Sequence, residues 1–177
     1  MNKKVLVLAG SPRKGGNSDL LCDELIKGAE ISGNVVEKVY VQDLKISSCR
    51  ACYGCRNTGK CVQNDDMEEL LDKMIAADVI VMATPVYFYS MDGQMKTMID
   101  RTLPRYTEIK NKDFYFIATA AAGAKAMERT IDSLRGFTDC LPGAEVKNVI
   151  YGYGAYQKGD ISGTNAMKEA FRAGQSI

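Results

Sequence analysis

The chain alternates short runs that are apolar throughout with longer stretches whose apolar residues recur every three or four positions. "KKVLVLAG" (3–10) predicts a strand buried on both sides and stopped by a glycine turn. "NSDLLCDELIKGAEISG" then sets Leu20, Leu21, Leu25 and Ala29 at helical spacing and stops at Gly33. "NVVEKVYV" (34–41) predicts a second strand. "DDMEELLDKMIAA" (65–77) predicts a helix with carboxylates in its first turn, where the helix dipole favours them. "DVIVMATPVY" (78–87) is the most hydrophobic strand of the chain. After it come a helix in "DGQMKTMIDRTL" (92–103), a strand in "DFYFIATA" (113–120) and a helix in "GAKAMERTIDSLRGF" (123–137). The last strand falls in "AEVKNVIYGYG" (144–154) and the last helix in "ISGTNAMKEAFRAG" (161–174).

Five strands alternating with five helices imply an α/β fold, a parallel sheet covered on both faces by right-handed crossovers. No repeat, linker or low-complexity segment divides the 177 residues, so one domain is expected over 1–177, carrying a cysteine-rich loop at 47–63. Ligands of such folds sit at the carboxyl ends of the strands. The loops there are 10–18, 42–63, 84–92, 119–125 and 151–160.

Composition narrows the chemistry. A formal net charge of +1 supplies no basic field, so neither nucleic acid nor an anionic membrane is an expected partner. With no histidine, the chain cannot run a Ser-His-Asp or Cys-His mechanism or hold zinc through imidazole. The apolar run Val5–Ala9 is too short for a secretory leader, and no stretch approaches a membrane span. A cytoplasmic protein is expected, in which clustered thiols point to metal or redox chemistry rather than disulfides.

Two loops carry the candidate chemistry. The first strand runs into "GSPRKGGNS" (10–18), where Gly10, Gly15 and Gly16 allow a tight backbone turn at a helix start. Ser11, Asn17 and Ser18 offer donors there, and Arg13 and Lys14 place positive charge, a combination suited to a phosphate group. The spacing is neither that of a nucleotide triphosphatase loop nor that of a dinucleotide fingerprint. The second loop, "CRACYGCRNTGKC" (49–61), holds four of the six cysteines as Cys-x2-Cys-x2-Cys-x5-Cys. That run is more compact than the paired Cys-x2-Cys sets of structural zinc sites and is similar to ferredoxin runs that wrap a [4Fe–4S] cluster. A cluster on Cys49, Cys52, Cys55 and Cys61, a vacant or thiol-redox loop, and a zinc site stay open, in that order. Cys22 and Cys140 are expected to be buried small hydrophobes.

"GSPRKGGNS" after the first strand, "TPVYFYSMDGQMKTMIDR" after the third and the cysteine loop between them resemble the NADPH-dependent FMN reductase family of flavodoxin-like proteins. Within it the resemblance points to the iron–sulfur flavoproteins, down to the "DDM" (65–67) after the last cysteine. The resemblance implies a three-layer sandwich with strand order 2-1-3-4-5 and FMN at the switch point between the first and third strands. It implies that Ser11, Arg13, Lys14, Gly16, Asn17 and Ser18 surround the FMN phosphate. It implies that Pro85, Val86, Tyr87 and Phe88 line the flavin ring, with backbone N–H groups after Pro85 open to it. Ala120, Ala121 and Gly123 reach its pyrimidine side, although here alanines stand where the family carries more glycine. Lys96, Asp100 and Arg101 are expected to be structural or interfacial.

Three functions follow. The first is an iron–sulfur flavoprotein that passes electrons from a ferredoxin-like donor to a small acceptor, such as a quinone or an oxygen species. The second is an NAD(P)H-dependent FMN or quinone reductase with a cysteine loop that is only structural; NAD(P)H would stack transiently on the flavin. The third is a non-catalytic electron carrier. A homodimer or homotetramer is expected from the family.

Overall fold

The computed structural model describes residues 2–177. Five strands form one fully parallel sheet: β1 (Lys4–Ala9), β2 (Val35–Tyr40), β3 (Val79–Pro85), β4 (Asp113–Thr119) and β5 (Glu145–Gly152), in the order β2-β1-β3-β4-β5. The crossovers contain α1 (Asn17–Ile31), α2 (Met67–Ala76), α3 (Gly93–Asp100) and α4 (Lys125–Thr138), and α5 (Asn165–Gln175) closes the chain. This is the flavodoxin-like sandwich that the resemblance implies.

The alternation of side chains along each strand divides the core into two layers. Leu6, Leu8, Ile80, Met82, Phe114 and Phe116 face α2, α3 and α4, meeting Leu70, Met74, Met95, Met98, Ile131 and Leu134. The opposite faces of the same strands, with Val5, Val7, Val79, Val81, Tyr115 and Ile117, pack on Leu21, Leu25, Ala170 and Ala173 of α1 and α5. Central β3 is buried along nearly its whole length, which is why its sequence is a continuous apolar run.

Element ends differ from the sequence pattern where side chains intervene. The second helix starts at Met67 rather than 65, because Asp65 and Asp66 accept hydrogen bonds from the backbone N–H groups of Ser47 and Lys45. The third strand stops at Pro85, beyond which Tyr87 and Ser90 exchange backbone hydrogen bonds in a tight hairpin. The last helix starts at Asn165, after Gly163 turns the chain with φ 74°.

Candidate functional site

The carboxyl ends of β1, β3 and β4 bound an open cleft of about 250 Å³. Ser11, Arg13, Gly16, Asn17 and Ser18 form its β1 wall, and Pro85, Val86 and Tyr87 its β3 wall. Thr119, Ala120 and Ala121 come from the end of β4, and Ala155, Tyr156 and Lys158 from the loop after β5.

The β1 wall is a tightly hydrogen-bonded turn that runs into the start of α1. The Ser11 hydroxyl accepts from the Arg13 N–H at 3.2 Å, and the Gly16 N–H donates to the Arg13 carbonyl at 2.9 Å. Gly15 takes the left-handed φ of 67° that this turn needs, and its N–H donates to Asp19 Oδ2 at 2.6 Å. The N–H groups of Asn17, Ser18 and Asp19 open α1 and have no intrahelical acceptor. Asp19 is itself buried and held by Lys38, which also pairs with Asp23 at 2.7 Å. Burial alone would lower the Lys38 pKa, but hydrogen bonds to Asp19 and Asp23 raise it overall. The loop shape is thus fixed from behind by β2.

The junction of β1, β3 and α3 behind the cleft lining is equally built. Asp92 is fully buried, caps α3 by accepting from the Met95 N–H at 2.9 Å, and accepts from Thr84 Oγ1 at 2.6 Å. Burial pushes its carboxyl pKa up, against the Thr84 hydrogen bond. A side chain at Gly10 would run into this carboxylate, so the first residue after β1 has room for glycine alone.

Ten of the thirteen residues proposed for the flavin lie along this cleft: Ser11, Arg13, Gly16, Asn17, Ser18, Pro85, Val86, Tyr87, Ala120 and Ala121. Three do not. Lys14 turns away to pair with Asp43 at 2.5 Å, its ammonium 4.7 Å from the centre of the Tyr40 ring. Lys158 takes its place, crossing from the far loop to donate to the Lys14 carbonyl at 3.0 Å. Phe88 is 100% exposed at the hairpin tip, and Gly123 is exposed beyond the end of β4. The N–H groups expected to be open after Pro85 are engaged: Val86 donates to the Thr119 carbonyl at 2.8 Å and Tyr87 to that of Ser90 at 2.9 Å. Asn17 also plays another part, since its amide donates to the Gln157 carbonyl at 2.8 Å and accepts from the N–H groups of Gly159 and Ile161. Its side chain fastens the 157–161 loop, leaving its backbone N–H for an anion. The 151–160 loop was placed at this end by the strand pattern, yet nothing local marked Ala155, Tyr156 and Lys158 as its wall.

The hairpin at 87–90 is strained. Phe88 and Tyr89 both lie in the left-handed region, with φ 50° and 62°, a conformation that costs about 1–2 kcal/mol for each bulky residue. Tyr89 is exposed, with the Arg129 guanidinium 5.8 Å from its ring centre.

The cysteine loop forms a second hollow, which shares no lining residue with the cleft. Cys49, Cys52, Cys55 and Cys61 all border it, against Asp100, Arg101, Leu103 and Pro104 at the end of α3. All four thiols are free, and Cys49 and Cys52 are exposed. Among the described residues, no three His, Cys, Asp or Glu side chains are gathered closely enough to hold a metal ion. Ala51 and Tyr53 adopt positive φ of 51° and 55° between the cysteines, so the loop is bent against ordinary backbone preference. Its ends are tied by Asp66 to Lys45 and by Asp65 to Ser47, the contacts that the "DDM" run provides. In chemistry the donor set fits an iron–sulfur cluster: four thiols on one hollow, with the Gln63 N–H donating to Cys61 Sγ at 3.5 Å.

Arg101, expected only to be structural or interfacial, lies under this loop with its side chain 1% exposed. It grips Asp65 through two hydrogen bonds of 2.7 and 2.8 Å and donates to the Ser47 carbonyl at 2.6 Å. Burial pushes the Asp65 carboxyl up, but Arg101 and the Ser47 and Met67 amides outweigh it and hold the pKa below its usual value. Lys96 and Asp100 form the surface pair expected, at 2.6 Å. Of the outlying cysteines, Cys22 is buried, which pushes its thiol up to about 12, whereas Cys140 is exposed just past α4, contrary to expectation.

Sheet order and a glycine-rich helix start lining a cleft at the β1/β3 switch point define a flavodoxin-like protein. The chain belongs to the NADPH-dependent FMN reductase family, which it matches over residues 3–156, and is thereby a member of a family of FMN-dependent oxidoreductases. It is 45% identical over 101 residues to an iron–sulfur flavoprotein of Archaeoglobus fulgidus, covering 57% of this chain and 46% of that one. It is 34% identical over 136 residues to an iron–sulfur flavoprotein of Methanocaldococcus jannaschii, covering 76% of this chain and 70% of that one. The chain thus spans about half the length of the first of these relatives. Among solved structures it resembles an NAD(P)H:quinone oxidoreductase from Methanothermobacter marburgensis, with a TM-score of 0.76, 16% identity and 99% and 96% of the two chains covered. A Bacillus anthracis FMN-dependent NADH-azoreductase in complex with FMN gives a TM-score of 0.77 at 14% identity, with 99% of each chain covered. At these identities the likeness is one of fold. No helix among the described residues is long and apolar enough to cross a membrane.

Proposed function

We propose that this chain is an FMN-dependent redox protein of the iron–sulfur flavoprotein type. FMN occupies the cleft, a [4Fe–4S] cluster sits on Cys49, Cys52, Cys55 and Cys61, and electrons pass from a ferredoxin-like donor or NAD(P)H to a small acceptor such as a quinone or an oxygen species. The observation that carries this reading is the pairing of a tightly hydrogen-bonded turn, fit to cradle an anion, with a separate hollow lined by all four clustered cysteines. When bound, the flavin supplies two-electron chemistry and the cluster one-electron exchange.

The residues divide the work. The N–H groups of Asn17, Ser18 and Asp19, the Ser11 hydroxyl and the Arg13 guanidinium bind the phosphate, and Lys158 adds positive charge from the opposite wall. Pro85 and Val86 set one rigid side for the ring, since the Val86 N–H is fixed on Thr119. None of the residues lining the cleft is a carboxylate and the chain has no histidine, so the task assigned to this wall is to bind and orient the cofactor. The exposed Tyr87, Phe88 and Tyr89 support a homodimer or homotetramer in which a second copy covers the cleft mouth.

A second reading has its own support. The cysteines are not gathered to metal-binding distance, which favours an NAD(P)H-dependent FMN or quinone reductase whose loop is structural. Iron, acid-labile sulfide and flavin assays on protein purified without oxygen separate the two. About four irons with bound FMN support the first reading, FMN without iron supports the second, and absence of both removes the flavoprotein assignment. Flavin reduction by NADPH, compared with reduction by ferredoxin or dithionite, then identifies the donor class.

A further inference from the structure

Arg101 is the one buried cation among the described residues, with a single partly exposed carboxylate, Asp65, as its salt-bridge partner. Removing a guanidinium from water is unfavourable unless its donors find acceptors. Two of its nitrogens are engaged, Nη1 with Ser47 and Asp65 and Nη2 with Asp65. Its Nε–H is buried without a partner. This orphaned donor belongs to a side chain that borders the hollow lined by the four cysteines, and Arg101 and Cys61 line a second, adjoining hollow together. The two groups joined by the guanidinium, Asp65 and Ser47, lie 36 and 54 residues from it in sequence, one at each base of the cysteine loop. Its pKa is raised, by Asp65 first, against burial, and further by Cys61.

We propose that Arg101 is the positioning residue of the cysteine loop: its fork clamps both loop bases through Ser47 and Asp65, and its free Nε–H and positive charge serve an anionic sulfur site on Cys49, Cys52, Cys55 and Cys61. The proposal rests on the sulfur-site reading above. A lysine cannot substitute, because an ammonium lacks the planar fork that holds a carboxylate with two bonds while leaving a third donor free. The strained backbone at Ala51 and Tyr53 is tolerated because the loop is tied at its base.

The test uses the full chain with FMN, under anaerobic conditions, and zinc as a thiol-seeking probe measured by competition with a chelator. Wild type, C61S, R101Q, R101K and D65N are compared. R101Q and D65N are expected to weaken zinc binding about 10- to 100-fold with FMN content unchanged, the usual effect of losing a partner behind the ligands, and R101K is expected not to restore it. A cluster reconstituted in R101Q is expected at a lower reduction potential than in wild type, because a nearby cation and N–H donor favour the added electron. Zinc affinity in R101Q equal to wild type, full rescue by R101K, or an unshifted potential overturns the proposal. C61S binding zinc as tightly as wild type instead sinks the sulfur-site reading itself. If R101Q yields no folded, FMN-bearing protein, D65N, which keeps the side-chain volume, decides the matter.

Discussion

The two hollows of this protein are built on opposite plans. The flavin cleft is formed by strand ends whose backbone is already committed: Gly10 to Ala83, Val86 to Thr119, Ala120 to Gly152 and Ala155 to Ala120. Its loop is braced from behind by Asp19 and Lys38 and from the side by Asn17. The cysteine loop is held at its two ends by Arg101, Asp65 and Asp66 and elsewhere by the Lys60–Glu68 pair and the Gln63–Ser48 hydrogen bond, and its thiols are exposed or half-buried. A cleft of the first kind is ready for its ligand before binding, whereas a loop of the second kind needs its ligand to close it. The difference follows from what each ligand gives. A phosphate and ring offer hydrogen bonds and stacking, which reward preorganisation, and a sulfur site supplies covalent ligation strong enough to order a loop.

Changes at one region should therefore leave the other intact. The largest effect is expected from C55S, which removes one of the four thiols proposed to hold the cluster. Iron and sulfide should fall to background while FMN content stays at the wild-type level. Loss of FMN in the same variant would show that the hollows are one cooperative unit. On the other side, Arg13→Ala removes a charged donor from the cradle, worth about 1.5–3 kcal/mol, so the FMN dissociation constant should rise roughly 10- to 100-fold. Iron content per folded chain should not change.

A smaller effect sharpens how far the cleft is braced. Asn17→Ala leaves the N–H groups of Gly159 and Ile161 and the carbonyl of Gln157 without their partner. Unsatisfied groups of this kind cost about 1–3 kcal/mol together, equivalent to a loss of roughly 2–10 °C in the melting temperature of the FMN-free protein. A melt indistinguishable from wild type would mean that the 157–161 loop is held by other contacts.

The smallest expected effect is the pH response of the cysteine-loop clasp. The folded-state pKa of Asp65 lies below its ordinary value of 3.8, so the clasp contributes stability above that value and loses it as pH falls through the folded one. Amide hydrogen exchange within 47–63, corrected for the intrinsic rate at each pH, should then show protection flat from neutral pH to about pH 4 and lost only below it. A loss near pH 6 would point away from Asp65 as the controlling group.

Much of this was legible from sequence because it is local. β3 is a run of apolar residues, α1 has its leucines at helical spacing, and Gly15, Gly16, Asn17 and Ser18 are adjacent in the chain, so the cradle appears wherever the strand–turn–helix forms. The parts that could not be read are those in which distance along the chain conceals contact. Lys14 and Lys158 are alike as residues; only the packed structure shows that the first leaves toward Asp43 while the second enters the cleft from 144 residues away. Cys140, before "LPG", is expected to be a buried small hydrophobe, but α4 ends at Thr138 and the residue is exposed in the turn that follows.

The sequence by itself determined the order of strands and helices, the phosphate turn and the set of four sulfurs, because periodicity, glycine freedom and ligand spacing act within a few residues. Tertiary structure alone decided that Arg101 lies under the cysteine loop, that Asn17 ties down the last loop, and that the N–H groups of Val86 and Tyr87 are engaged. The physical reason is that burial and hydrogen-bond pairing depend on which distant segments the sheet brings side by side, and a buried donor takes whatever acceptor the fold places next to it.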